Sequence, residues 1–162
     1  MSSDQEDRKE KLARLLAKNK TRLARDKLIE RYQQELGYPL AAEQFIDLEV
    51  SHRIKREVYQ KAVKLKRQET FDFQGILTAL EQLKEQSSQL GNTKVVFYYL
   101  DTRETGGIEI LFKDFWTLLN KIGNKPRTDI IVVEEHFALG ICVELEEYSS
   151  LLTSWGFKGE GL

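Results

Sequence analysis

The sequence predicts an α+β domain in which N-terminal helices are followed by an antiparallel or mixed sheet of about four strands, in ββαββα order, with helices packed on it. Two observations point there. Apolar residues recur at helical spacing up to about residue 87, and from Lys94 the period becomes strand-like. Ten of the sixteen aromatic residues lie between Phe97 and Phe157, which places the main core in the C-terminal part. Residues 1–40 are expected to form a basic helical arm and residues 41–162 a single α+β domain.

Residues 5–36 are rich in Lys, Arg, Leu, Ala, Glu and Gln, all good helix formers, and contain no Gly or Pro before Gly37 and Pro39. Leu12, Leu16, Leu23, Ile29, Tyr32 and Leu36 are read as falling near one face, interrupted by Asn19, Thr21 and Asp26. A second helix is expected over 42–67, with Phe45, Leu48, Ile54, Val58, Ala62 and Leu65 inward. Asp72 can cap a third over 72–87, where Ile76, Leu77, Leu80 and Leu83 repeat at i, i+3, i+4 and i+7.

The run Val95 to Leu100 is β-branched and aromatic, as in a strand covered on both faces, giving a strand over 94–100. Thr105-Gly106-Gly107 suits a hairpin turn into an antiparallel strand over 108–112. Asp114 can cap a short helix over 113–122, which Gly123 and Pro126 end. Strands are expected over 129–134 and 138–146. In the second, Leu139, Ile141, Val143 and Leu145 bury while Gly140, Cys142, Glu144 and Glu146 face away. Tyr148, Leu151, Leu152 and Trp155 have helical spacing, so a last helix is expected over 147–155, with Gly156 as its cap. Lys158 to Leu162 is short and glycine-rich, and fraying is expected there.

The formal net charge of −1 conceals an asymmetry. Residues 1–70 carry 17 Lys/Arg against 12 Asp/Glu, and residues 71–162 carry 8 against 14, so the halves are +5 and −6. The basic residues between Arg8 and Arg31 and between Arg53 and Arg67 read either as solvated helix faces or as a surface that neutralises nucleic-acid phosphates. No run of about 18 apolar residues is present to span a bilayer, and the acidic N-terminus lacks a secretory signal's apolar run. A cytoplasmic protein without membrane contact is expected.

Signs of an enzyme are weak. Thr105-Gly106-Gly107 is followed by strand residues rather than a helix, so it does not form a phosphate-binding loop. One cysteine and two separated histidines give no zinc-ligand spacing, and Ser149 or Cys142 with His136 lacks an elbow sequence for a triad. Cys142 reads as a small buried hydrophobe. No catalytic activity, cofactor or metal is therefore expected. The richest polar group is a set of carboxylates: the eight residues Asp101, Glu104, Glu109, Glu134, Glu135, Glu144, Glu146 and Glu147, with Asp129 beside them. They suit a hydrated sheet edge, an acidic docking surface for a basic protein, or, less readily, acid–base or Mg²⁺ chemistry.

With its charged helical N-terminus, EILFKDFWTLLNKIG and then DIIVVEEHFALGICVELEEY, the chain resembles the bacterial immunity proteins paired with contact-dependent or other polymorphic toxins; the likeness covers residues 94–157. The resemblance implies a cytosolic, non-catalytic inhibitor that binds one cognate toxin domain, commonly a nuclease. Under it the eight carboxylates become the partner-binding set, and homo-oligomerisation stays open. One departure is the sequence pI of about 6.2 with a basic front half, where many inhibitors of nucleases are strongly acidic. Nucleic-acid association through the basic N-terminal helices is the alternative.

Overall fold

The computed structural model describes residues 2–157, so the terminal stretch expected to fray from Lys158 lies outside it. The helices are α1 (Ser2–Arg31), α2 (Leu48–Lys64), α3 (Phe73–Gln86), α4 (Thr102–Thr105) and α5 (Phe112–Ile122). The strands are β1 (Gln68–Thr70), β2 (Lys94–Tyr98), β3 (Ile108–Leu111), β4 (Ile130–Glu134), β5 (Gly140–Leu145) and β6 (Ser150–Trp155). They form one sheet in the order β1-β6-β5-β4-β2-β3, with every neighbouring pair antiparallel. The fold is α+β, with six strands rather than about four.

Alternation along the central strands sends apolar side chains to both faces, and each face has its own cover. Val95 and Phe97 of β2, Ile130 and Val132 of β4, and Ile141 and Val143 of β5 meet α3, α5 and the end of α1. Val96, Tyr98, Ile131, Val133 and Cys142 meet Ile54, Val58 and Ala62 of α2, together with Trp155. Covering on both faces explains why Ile130 to Val133 is uniformly apolar rather than alternating. Ser51 fastens α2 to the sheet: its Oγ accepts from Gly107 N at 2.6 Å, and its carbonyl accepts from the Tyr98 hydroxyl at 2.7 Å.

Within 147–155, a turn is followed by the strand β6 (Ser150–Trp155), which corrects the expected final helix. Leu152 turns to one face and Trp155 to the other, and Tyr148 is 80% exposed. The same residues satisfy helical spacing, but β5 has a free edge, and six consecutive pairings from Gly140↔Trp155 to Leu145↔Ser150 satisfy it. Tertiary pairing thus overrides a short local pattern. Gly156 is not a helix cap, although its φ of +84° is left-handed; a Cβ there would lie 2.0 Å from the Ala138 carbonyl oxygen. β1 occupies the segment just after the expected second helix and extends the sheet beyond β6.

Other boundaries shift for local reasons. α2 begins at Leu48 rather than residue 42 because the Asp47 side chain accepts from Val50 N, after a 3-10 turn at Ala42–Gln44. Asp72 caps α3 as expected, accepting from Gly75 N at 3.2 Å. Asp114 is not the cap of α5, which starts at Phe112, but it lies in the first turn, where a carboxylate complements the helix dipole.

The basic segment expected over 1–40 divides into two parts. Leu28, Tyr32, Leu36 and Leu40 are core residues, and the Tyr32 hydroxyl donates to the Tyr99 carbonyl at 2.8 Å. Arg25 clamps this docked end, donating to the Thr105 and Ile46 carbonyls at 3.0 and 2.8 Å. Residues 3–20 are all exposed. Leu12, Leu16 and Leu23 therefore do not share the inward face of Tyr32 and Leu36.

The Gly140–Trp155 pair gives a direct test of the β5–β6 register. An added Cβ at Gly140 would stand 2.1 Å from the Trp155 ring, so Gly140→Ala must displace the indole and should cost about 1–3 kcal/mol by chemical denaturation. Gly91→Ala, whose Cβ would meet only the Lys113 side chain at 3.4 Å, should change stability by less than about 0.5 kcal/mol. Equal effects would contradict the register.

Candidate functional site

The fold separates the eight carboxylates. Glu109, Glu134 and Glu135 lie toward the sheet end where β2 begins, since Val95 pairs Glu134 and Val96 pairs Glu109. Asp101, Glu104, Glu144, Glu146 and Glu147 lie toward the opposite end, where β2 and β5 finish. They do not form one site.

Several of them are occupied within the chain. Asp101 accepts from Arg31 Nη1 at 2.6 Å, and Glu35 joins the same network through Arg31 at 3.4 Å and Arg127 at 2.9 Å. Glu134 accepts from His136 N with both oxygens, which shapes the β4–β5 turn. Glu109 lies 3.6 Å from Lys94 Nζ. Glu144 meets Arg67 Nη2 at 3.2 Å, and its side chain is only 15% exposed. The face of β5 that carries Glu144 lies under α2, so this residue is not on an open sheet face. Glu104, Glu135, Glu146 and Glu147 are exposed.

At the α2 end of the sheet a polar cluster forms around Asp129. Its Oδ2 accepts from the Tyr59 hydroxyl at 2.6 Å and its Oδ1 from Leu145 N at 2.8 Å. Lys55 Nζ donates to Thr102 Oγ1 at 2.7 Å, and Arg67 Nε donates to the Ala62 carbonyl at 3.1 Å. Burial raises the Tyr59 pKa well above the ordinary phenol range, and its bond to Asp129 adds to the effect. Burial lowers the Lys55 pKa, against the attraction of Asp129. Glu144 is raised by burial and by Asp129 and Glu146, with Arg67 opposing.

These shifts describe structural fastening. Tyr59 stays a neutral donor to Asp129. Cys142 is fully buried, and burial with the nearby Glu144 and Asp129 keeps its thiol protonated, so it is a packing residue rather than a nucleophile. Lys55, Tyr59, Tyr98, Asp101, Thr102 and Asp129 border a cavity of about 390 Å³. Asp101 borders it with φ of 48°, and Leu100 before it, a core residue, has φ of 64°, a costly conformation for leucine. Among the described residues, no group of three or more His, Cys, Asp or Glu is placed to hold a metal.

The uncommitted surface is elsewhere. The β5–β6 turn presents Glu146, Glu147 and Tyr148, the last 80% exposed. Phe71, 95% exposed, directly follows Thr70, which pairs with Ser150 just beyond that turn. Two large aromatics and two acids therefore project from the same end of neighbouring strands. Sequence periodicity missed both aromatics: Tyr148 fits a helix stripe, and Phe71 falls between the helices expected over 42–67 and 72–87. Arg67 was visible as a helix-terminal cation, but its pairing with Glu144 joins positions 77 residues apart.

A family model described as YxiF protein matches residues 28–155, which run from the first core residue of α1 to the end of β6. No curated protein and no solved structure matches the chain.

Tyr59→Phe isolates the fastening of α2. Because the folded state raises the Tyr59 pKa, the native chain holds this proton where the unfolded chain releases it. Its contribution is complete below about pH 10, the ordinary phenol pKa, and is lost as pH rises above that value. The variant should lose about 1–2 kcal/mol at neutral pH and show a shallower alkaline decline than the parent in denaturant titrations. Tyr32 and Tyr98 keep part of that decline. Parallel pH curves would contradict the assignment.

Proposed function

The chain belongs to the YxiF protein family, and from that premise we propose that it is an immunity protein, a non-catalytic binder that neutralises one cognate bacterial toxin domain by stoichiometric contact. Its resemblance to immunity proteins over residues 94–157 supports this reading. The observation that carries it is the exposed end of the sheet formed by Glu146, Glu147 and Tyr148 beside Phe71. Exposed aromatics supply large contact area at protein interfaces, and an acidic rim speeds encounter with a basic partner and rejects acidic ones.

A nuclease is the toxin class with the matching chemistry, because a surface that holds phosphates is basic. Covering that surface in the cytoplasm would block substrate without any reaction by the inhibitor. Of the eight carboxylates, Glu146 and Glu147 are the principal contacts in this reading, and Glu104 and Glu135 are further exposed candidates. Asp101, Glu109, Glu134 and Glu144 already have partners within the chain. Nucleic-acid binding is the alternative, and it would rest mainly on the exposed cations of α1, since in the second basic set Lys55 bonds Thr102, Lys61 lies over the Trp155 ring at 5.4 Å and Arg67 pairs with Glu144.

The test is co-purification with the toxin domain encoded by the neighbouring reading frame, together with protection of cells that express it. Glu146→Lys with Glu147→Lys should weaken binding by at least roughly tenfold and reduce protection, with thermal stability unchanged. Unchanged affinity would remove this surface from the proposal. A chain that neither binds nor protects against the neighbouring toxin would overturn the immunity reading. Glu144→Lys is unsuitable as a probe, because it also breaks the contact with Arg67.

A further inference from the structure

The exposed part of α1 carries a second apolar stripe that the domain does not use. Leu12, Leu16, Asn19 and Leu23 are spaced by four, three and four residues, the a/d spacing of a coiled-coil seam, and Leu15 stands beside them. Leu12, Leu15, Leu16 and Leu23 are 57%, 57%, 60% and 47% exposed. Leu28 and Tyr32, the residues that dock α1, lie five and nine positions after Leu23, about 140° and 180° around the helix. The leucines thus point away from the domain. A helix segment with no packed face draws little stability from its own propensity, so this stripe is suited to a partner.

The charges beside the stripe select that partner. In the same heptad frame, the flanking e and g positions include Arg8, Lys20, Arg22 and Lys27. Two copies of α1 would set these cations against one another, which disfavours self-pairing. Residues 3–31 contain no aromatic side chain of the kind that anchors helices at a membrane interface, and Asn19 interrupts the apolar stripe. Phosphate contacts would use the cations but leave the leucines in water. In this frame the apolar seam runs from Leu12 to Leu23 and is bounded by Lys9 and Asp26 at the next seam positions; Asn19 within it fits helix pairing, where a polar seam residue sets the register.

We propose that α1 between Arg8 and Lys27 is one strand of a heterotypic coiled coil, and that its occupant is a partner protein's amphipathic helix with apolar seam residues and acidic flanks. In the free chain Arg22 contacts Asp26 at 3.5 Å and Asn19 Oδ1 at 2.8 Å. Acids on the incoming helix compete for Arg22 and pair with Lys20 and Lys27. This surface is separate from the Glu146–Tyr148 end of the sheet. It does not depend on that end binding a toxin.

The probe is a synthetic peptide of about three heptads with leucine seams, one seam asparagine and glutamate at both flanks. Titrated into the full-length protein, it should bind saturably, more weakly as salt rises. Leu16→Asp with Leu23→Asp should weaken binding by at least roughly tenfold while the melting temperature of the domain stays unchanged. Glu146→Lys with Glu147→Lys should leave peptide binding intact, which separates this result from the fate of the toxin reading. No binding, equal binding by the aspartate variant, or equal binding of a lysine-flanked peptide would overturn the proposal. So would tighter association with anionic vesicles or duplex nucleic acid, or self-association that the aspartate variant abolishes.

Discussion

The structure depends on α2 lying across one face of a sheet whose central strands are apolar on both sides. Val58 and Ala62 are fully buried there, against Ile131, Val133 and Cys142. A valine or isoleucine side chain contributes about 1.5–3 kcal/mol when removed from water, so the face formed by Val58, Ile131 and Val133 cannot stay open. Once α2 is in place, the polar groups at its margins must be satisfied without solvent. Ser51 with Gly107, Tyr59 with Asp129 and Arg67 with Glu144 do this along its length.

This constraint sorts the acidic residues into two populations. Those near α2 and the docked end of α1 are spent on Arg67, Arg31 and backbone amides, and those on the β5–β6 turn remain in water. The division of charge along the chain becomes a division in space. Cations accumulate on the exposed length of α1, while Glu146 and Glu147 stand at the sheet end with two exposed aromatics. The two proposed contacts, with a toxin domain and with a partner helix, thus fall on chemically distinct regions. The family match begins at Leu28, where α1 joins the core, so the leucine stripe lies before the matched segment.

Much of the architecture was legible in the residues. The change of period at Lys94, the unbroken apolar run of β4, the Asp72 cap and the Gly123 stop all have local causes that a sequence displays. What escaped reading depends on distant contacts. Tyr148 to Trp155 satisfies either a helix or a strand, and only the open edge of β5 decides between them. Glu144 looks like the solvent side of a strand until α2 covers it. Leu12 to Leu36 reads as one interrupted stripe, because the turn between the docked and free faces of α1 is a matter of what each face meets. The candidate surface was legible as acidity, through Glu146 and Glu147, but its aromatic component was not.

The measurement closest to the central claim is amide hydrogen exchange on the free full-length protein, resolved by segment. If α2 seals the sheet and the first part of α1 has no packed face, β4, β5 and the inner face of α2 should exchange only with global unfolding. Residues 3–20 should exchange orders of magnitude faster. Protection of residues 3–20 equal to that of β4, or rapid exchange throughout α2, would contradict this account of which surfaces are committed and which are free.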